Sequence, residues 1–212
     1  MRIGVMGGTF DPIHLGHLRA AEEIYLAFGL DRIIFVPAAR PPHKDAGDVA
    51  APIHRYEMVS LATVFTPDFT VSPIELNRPG TSYSVDTVRE LLRLTQVIVT
   101  ARPGWRLDEV ERVLTPPQRA ALGHPTFKYL RISEVGPELA QGAPVPGLVL
   151  LVEVVSLDIS SREIRQLVEE GRSVRFLVPD TVAAYMQKNR LYQKRPTRPR
   201  GGGWKEEDLH RG

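Results

Sequence analysis

The stretch Ile3-Gly4-Val5-Met6-Gly7-Gly8-Thr9-Phe10-Asp11-Pro12-Ile13-His14-Leu15-Gly16-His17 decides the fold. Residues 3–6 form a short apolar run, the pattern of a buried strand, predicted over 2–6. Gly7 and Gly8 then allow backbone angles and a close approach that a β-carbon would forbid. A helical pattern follows, with Leu15, Leu18, Ala21, Ile24, Tyr25 and Phe28 on one side and Gly29 as the stop. A second apolar run at 32–36 ends at Pro37. Strand, helix and strand within residues 2–36 make a parallel βαβ unit, whose crossover is expected to be right-handed.

The turn is built for an anion. Main-chain N–H groups of Gly8, Thr9 and Phe10 can face a phosphate, and the following helix directs its positive end the same way. His14 and His17, at i and i+3, share one face of the first turn, so both imidazoles can reach one ligand. A strand-to-helix turn with surface histidines is the plain alternative for Gly-Gly plus a single His, and the complete H-x-G-H grouping argues against it. A metal site is the weakest reading, because the chain has no cysteine and only Asp11 lies nearby as a further ligand.

These residues resemble the nucleotidyltransferase superfamily, whose strand-turn-helix carries a G-x-F-D-P-x-H-x-G-H signature. Within it, the likeness is to the bacterial nicotinate-nucleotide adenylyltransferase family. The resemblance implies a Rossmann-like α/β fold, a doubly wound and mostly parallel sheet with flanking helices. The match is specific for the superfamily and less so for the substrate.

Composition narrows the class. The 212 residues, 42 % of them hydrophobic, suffice for one α/β domain. The formal net charge of +2 divides unevenly, since residues 193–212 carry +3 and residues 1–192 therefore −1. The basic pI thus reports the tail and not a nucleic-acid groove. Lacking cysteine, the chain suits a reducing compartment. Asp11 interrupts the N-terminal apolar run before a signal-type segment develops, and residues 148–152 are too few to span a bilayer. The expectation is a cytoplasmic domain over residues 1–192 with a disordered, basic tail at 193–212, and no nucleic-acid or membrane partner.

Beyond the first unit, Pro41-Pro42-His43-Lys44 stands in a loop at 38–51. The prolines stiffen the backbone and hold Lys44 outward at the carboxyl end of the second strand, where open α/β sheets place ligands. An ordinary exposed lysine is the alternative, but the family's P-P-H-K loop implies a contact to triphosphate. A helix is predicted at 52–66 with Arg55, Met58 and Val59 in its apolar pattern, and a strand at 69–76. Residues 80–84 precede a helix at 85–94 and offer hydroxyls as caps. The family's G-x-S-Y-T segment implies an acceptor-binding role for Tyr83 and Ser84, with serine where threonine is usual.

Only Thr95 separates that helix from the strand at 96–100, where helix-to-strand connections usually take about 2–6 residues. Compared with the family, a strand ending in G-x-D and a tryptophan-bearing helix are missing there. The expectation is a rearranged sheet, with residues 97–100 in the vacant place beside strand one, or a compromised domain. Residues 107–122 carry a helical pattern broken by Pro116-Pro117, and residues 136–147 read as a loop between apolar runs at 129–132 and 148–155.

The last strand leads to Ile159-Ser160-Ser161-Arg162-Glu163-Ile164-Arg165. Ser160 with Glu163 fits a capping box. The serine pair, the helix start and Arg165 also make a second anion site. The segment resembles the family's I-S-S-T-x-I-R, with Arg162 in the threonine place. Residues 176–192 resemble the family's C-terminal end.

The resemblance implies adenylyl transfer from ATP to nicotinate mononucleotide, releasing pyrophosphate. His14, His17, Lys44 and Arg165 would be the catalytic set. Gly8, Thr9, Phe10, Ser160 and Ser161 would bind phosphate, and Mg²⁺ would be carried with ATP and held by no protein metal site. Pantetheine-phosphate adenylyltransferase shares the turn but usually has threonine at the place of His14. Class I aminoacyl-tRNA synthetases need a second lysine-rich loop that is not seen. A nucleotide-binding homologue without catalysis is the reading from another class.

Overall fold

A computed structural model describes residues 1–39, 49–77, 91–101, 115–155 and 157–193. Among them, β1 (Ile3–Gly8), α1 (Leu15–Ala27) and β2 (Arg32–Pro37) realise the first βαβ unit. Helix α1 ends at Phe28, and Gly29 takes the positive φ of +54° expected of a stop. Helix α2 (Pro52–Thr63) follows with proline in its first turn, and then the short β3 (Phe69–Val71). The predicted strand to residue 76 breaks off at Pro73, which has no N–H for a ladder and whose carbonyl instead accepts from Asn77 N–H in a turn.

The remaining strands and α-helices among the described residues are β4 (Val97–Ala101), α3 (Pro116–Ala121), β5 (Thr126–Arg131), α4 (Pro137–Gln141), β6 (Leu148–Glu153), α5 (Ser161–Glu169) and α6 (Asp180–Lys188), with a single 3-10 turn at Ile132–Glu134 after β5. Helix α4 occupies part of the stretch expected to be loop, started by proline at its first position.

All named strands pair in parallel, as the α/β reading requires, but in two three-stranded sheets of order β1-β2-β3 and β4-β6-β5. This corrects the expected place of residues 97–100. Strand β4 lies beside β6, with Val97 opposite Val149, and not beside β1. The reason is a tether. Only residues 95–96 join β4 to the helical turn at 91–94, whose Leu92 is sunk against Val149 and Leu151 while its carbonyl accepts from Gly147 N–H at 2.6 Å. Strand β6 is buried on both faces from Val149 to Val152, the pattern of an inner parallel strand. Among the described residues β1 pairs on one edge only, and its Val5 is 64 % exposed.

Helix α1 spans the two sheets. Ala21 packs into the core of the β1-β2-β3 sheet with Phe35, Met58 and Ile164, whereas Ala20 and Phe28 pack on Leu150 and Val152 of β6. Arg2 adds a polar tie, donating from Nη1 to the Gly142 carbonyl at 2.9 Å. The predicted helix at 85–94 falls largely outside the described residues, and of the Pro-interrupted pattern at 107–122 the described part is 115–122, where α3 begins at Pro116. Lys44, Tyr83, Ser84 and the tail from residue 194 also lie outside the described residues.

Candidate active site

Two helix starts meet over the turn after β1. His14 is the residue before α1 and is buried, while His17 is half-buried one turn further on. Their rings stack with centroids 3.7 Å apart, and Phe10 meets His17 edge-on at 5.2 Å. The main-chain N–H of His14 donates to His17 Nδ1 at 3.3 Å. The predicted i, i+3 pairing is therefore realised as one compact unit at the positive end of α1.

Two glycines make this geometry possible. A β-carbon at Gly8 would come within 2.8 Å of the Phe10 ring, which fills the space beneath the turn and is 2 % exposed. A β-carbon at Gly16 would stand 3.0 Å from His14 Nδ1 and 3.2 Å from the Leu157 carbonyl. Gly16 thus lets the chain leading into α5 lie against the first turn of α1.

The second half of the predicted site docks on the same turn. Ser161 Oγ donates to the Pro12 carbonyl at 2.9 Å, and Arg165 Nη1 donates to the Asp11 carbonyl at 2.7 Å. Ser160 caps α5, its Oγ accepting from Glu163 N–H at 3.2 Å and donating to the Glu163 carboxylate at 2.9 Å. The capping box read from sequence is present. The structure thus brings together Gly8, Thr9, Phe10, His14, His17, Ser160, Ser161 and Arg165, while Lys44, Tyr83 and Ser84 lie outside the described residues.

Beneath the turn lies a polar network that the sequence reading did not assign. Asp11, 1 % exposed, accepts at Oδ1 from Tyr192 hydroxyl (2.6 Å) and from Ala50 N–H (3.1 Å), and its Oδ2 faces Arg165 Nη1 at 3.5 Å. Burial, then the charge of Asp11 and its hydrogen bond, push the Tyr192 phenol well above its ordinary range. Arg55, also 1 % exposed, donates to three carbonyls, from Nε to Ala50 (2.9 Å), from Nη1 to Thr9 (2.8 Å) and from Nη2 to Ala39 (3.1 Å). Burial pulls the Arg55 pKa down, and the nearby Asp11 charge opposes that shift.

One signal for Arg55 was in the sequence, since an arginine among the apolar positions of α2 must find buried acceptors. Tyr192 gave none, standing 181 residues from Asp11.

Among the described residues, no group of three or more His, Asp or Glu is gathered as for a metal ion. The Asp11 carboxylate is engaged at Oδ1 by Tyr192 and Ala50 and faces the Arg165 charge at Oδ2. No helix among the described residues is long and apolar enough to cross a membrane.

Comparison with known proteins agrees with this geometry. The cytidylyltransferase-like family pattern matches residues 5–167. A probable nicotinate-nucleotide adenylyltransferase of Thermus thermophilus is 45 % identical over 201 residues, covering 91 % of this chain and 100 % of that one. A protein of the same description from Thermoanaerobacter is 40 % identical over 204 residues, covering 92 % and 95 %. Among solved structures, nicotinic acid mononucleotide adenylyltransferase of Plasmodium falciparum complexed with NaAD matches with a TM-score of 0.61 at 16 % identity, over 90 % of this chain and 97 % of that one. At that identity the match speaks for the fold, and the fold is shared almost end to end. With relatives this similar over nine-tenths of its length, and the H-x-G-H turn seated where two helix starts converge, the chain belongs to the nicotinate-nucleotide adenylyltransferases of the cytidylyltransferase-like family.

Proposed function

We propose that the protein transfers the adenylyl group of ATP to the phosphate of nicotinate mononucleotide, giving nicotinate adenine dinucleotide and pyrophosphate. The observation that carries this reading is the convergence of the α1 and α5 starts on one turn, with stacked His14 and His17 between them. The names of the relatives supply the acceptor.

In the reaction an acceptor phosphate oxygen attacks the α-phosphorus of ATP, and the bond from that phosphorus to the bridging oxygen of the β-phosphate breaks. No protein nucleophile is needed. The enzyme holds two anions in line and offsets the charge that develops on pyrophosphate. His14 and His17 donate to the phosphates, with main-chain N–H groups of Gly8, Thr9 and Phe10 as further donors. Ser160 and Ser161 contribute through the helix start they build, because their hydroxyls are engaged by Glu163 and Pro12. Arg165 presents positive charge beside the turn while Asp11 fixes its orientation. Lys44 completes the set on the β and γ phosphates, and Tyr83 and Ser84 contact the acceptor. Mg²⁺ would be carried by the phosphate oxygens of ATP and by water, and would supply charge neutralisation on the triphosphate. The catalytic unit is residues 1–192, and we place it in the cytoplasm.

A second reading, a homologue that binds nucleotide without turnover, draws on the one-sided pairing of β1 among the described residues and the two-residue connection before β4. A pyrophosphate-release assay with ATP and Mg²⁺ decides. Release with nicotinate mononucleotide and not with phosphopantetheine is the expected result. ATP binding without release favours the second reading, and release with phosphopantetheine alone refutes the acceptor.

A further inference from the structure

We propose that Arg55 is a positioning residue for the phosphate-binding turn, directing the donors that receive the triphosphate without touching the nucleotide itself. This rests on the adenylyltransferase reading and deepens it.

Each nitrogen of the Arg55 guanidinium is spent on a main-chain carbonyl from a different segment. Thr9 lies in the turn, Ala39 just beyond β2, and Ala50 just before α2. Two of these segments are held a second time. Ala39 N–H donates to Glu75 Oε2 at 3.3 Å, and Ala50 N–H donates to Asp11 Oδ1 at 3.1 Å. One planar fork therefore joins the turn to the exit of β2 and the entry of α2.

The contact with Thr9 sets a direction. The Thr9–Phe10 peptide is trans, so its N–H points opposite to its C=O. Because Arg55 draws the Thr9 carbonyl toward α2, the Phe10 N–H is turned away from α2. Ser161 acts likewise on the trans Pro12–Ile13 peptide, beyond the cis Asp11–Pro12 bond, drawing the Pro12 carbonyl toward α5 and turning the Ile13 N–H away from it. Arg55, Arg165 and Ser161 thus take the carbonyls of Thr9, Asp11 and Pro12 from outside the turn.

A role in packing alone does not account for a charged group here. Burying a guanidinium carries a desolvation penalty that an apolar side chain of similar length would avoid. What the charge contributes is three oriented acceptors, and a lysine cannot replace it. An ammonium is a point donor, and it cannot bridge carbonyls set around a planar fork.

The test compares Arg55→Lys and Arg55→Gln with Met58→Ala, a truncation on the same helix at a fully buried site whose thioether side chain has no hydrogen-bond donor to offer the turn's carbonyls. Binding of inorganic pyrophosphate and of ATP is measured by calorimetry, well below the lowest melting temperature, together with kcat and the KM of each substrate. Both Arg55 variants should lose about tenfold or more in pyrophosphate affinity, the scale of a lost hydrogen bond to a charged group. Their kcat should fall by about 10²-fold, as for a reacting group displaced by an ångström. The KM for nicotinate mononucleotide should be unchanged. Met58→Ala should retain wild-type pyrophosphate affinity at an equal or greater loss of melting temperature.

Wild-type pyrophosphate affinity in either Arg55 variant overturns the proposal. So does an affinity loss in Met58→Ala that matches theirs at equal melting temperature. Failure of the parent reading has a separate signature, an unmutated chain that binds neither ATP nor pyrophosphate, and that result removes this proposal with it.

Discussion

Asp11→Asn probes how the turn is held with very little change of shape. The amide keeps an acceptor oxygen for Tyr192 hydroxyl and Ala50 N–H, now at 2.6 and 3.1 Å. It removes the charge that faces Arg165 at 3.5 Å and can set an NH₂ group against the guanidinium. Asp11 is 1 % exposed, so water cannot make up the loss, and buried Arg55 loses the charge that opposes its desolvation. Removing one partner of a buried ion pair costs roughly 3–5 kcal/mol. The Arg165 side chain keeps 24 % of its exposure, which places the cost near the lower end. At roughly 2–4 °C per kcal/mol for a chain of this size, about 3 kcal/mol lowers Tm by about 6–12 °C. Scanning calorimetry at pH 7 reads it directly. Asp31→Asn is the control, because that carboxylate is 58 % exposed and an exposed pair contributes at most about 1 kcal/mol. An Asp11→Asn Tm no lower than that of the control would refute the view that this carboxylate offsets two guanidinium charges beneath the site.

Three further expectations follow from the same geometry. The Tyr192 pKa is raised above its ordinary value of 10.0, so its stabilising contribution is whole below pH 10 and is lost as pH climbs above it; urea midpoints from pH 9 upward should fall less steeply in Tyr192→Phe than in the wild type. His17→Ala should lose on the order of 10²-fold in kcat, with Tm changed by no more than about 4 °C, and near-normal turnover in that variant would remove the proposed mechanism. Gly16→Ala puts a β-carbon 3.0 Å from His14 Nδ1 and 3.2 Å from the Leu157 carbonyl, so the α1 and α5 starts must separate; kcat should drop by about tenfold or more, and unchanged kinetics would show that their spacing is irrelevant.

The parts of this protein legible in its sequence are those fixed by neighbours along the chain. The strand, glycine turn and helix of residues 3–27 follow from local periodicity and from Gly7, Gly8 and Gly29. The His14 and His17 pairing follows from their spacing on one helical turn, and the Ser160 and Glu163 cap from the reach of a serine to the third helical residue. Each is settled within about four residues, where few arrangements compete. The tertiary structure decided what depends on distant groups. Strand β4 lies beside β6 because Leu92 anchors the chain there, and alternation along residues 97–101 holds no information about which edge it joins. Arg55 and Tyr192 looked like one helix position and one chain-terminal aromatic. Their work lies in acceptors 5 to 181 residues away, on Ala50, Ala39, Thr9 and Asp11. A buried charge must be matched by whatever the fold brings to it, so its partners become known only once the chain has closed around it.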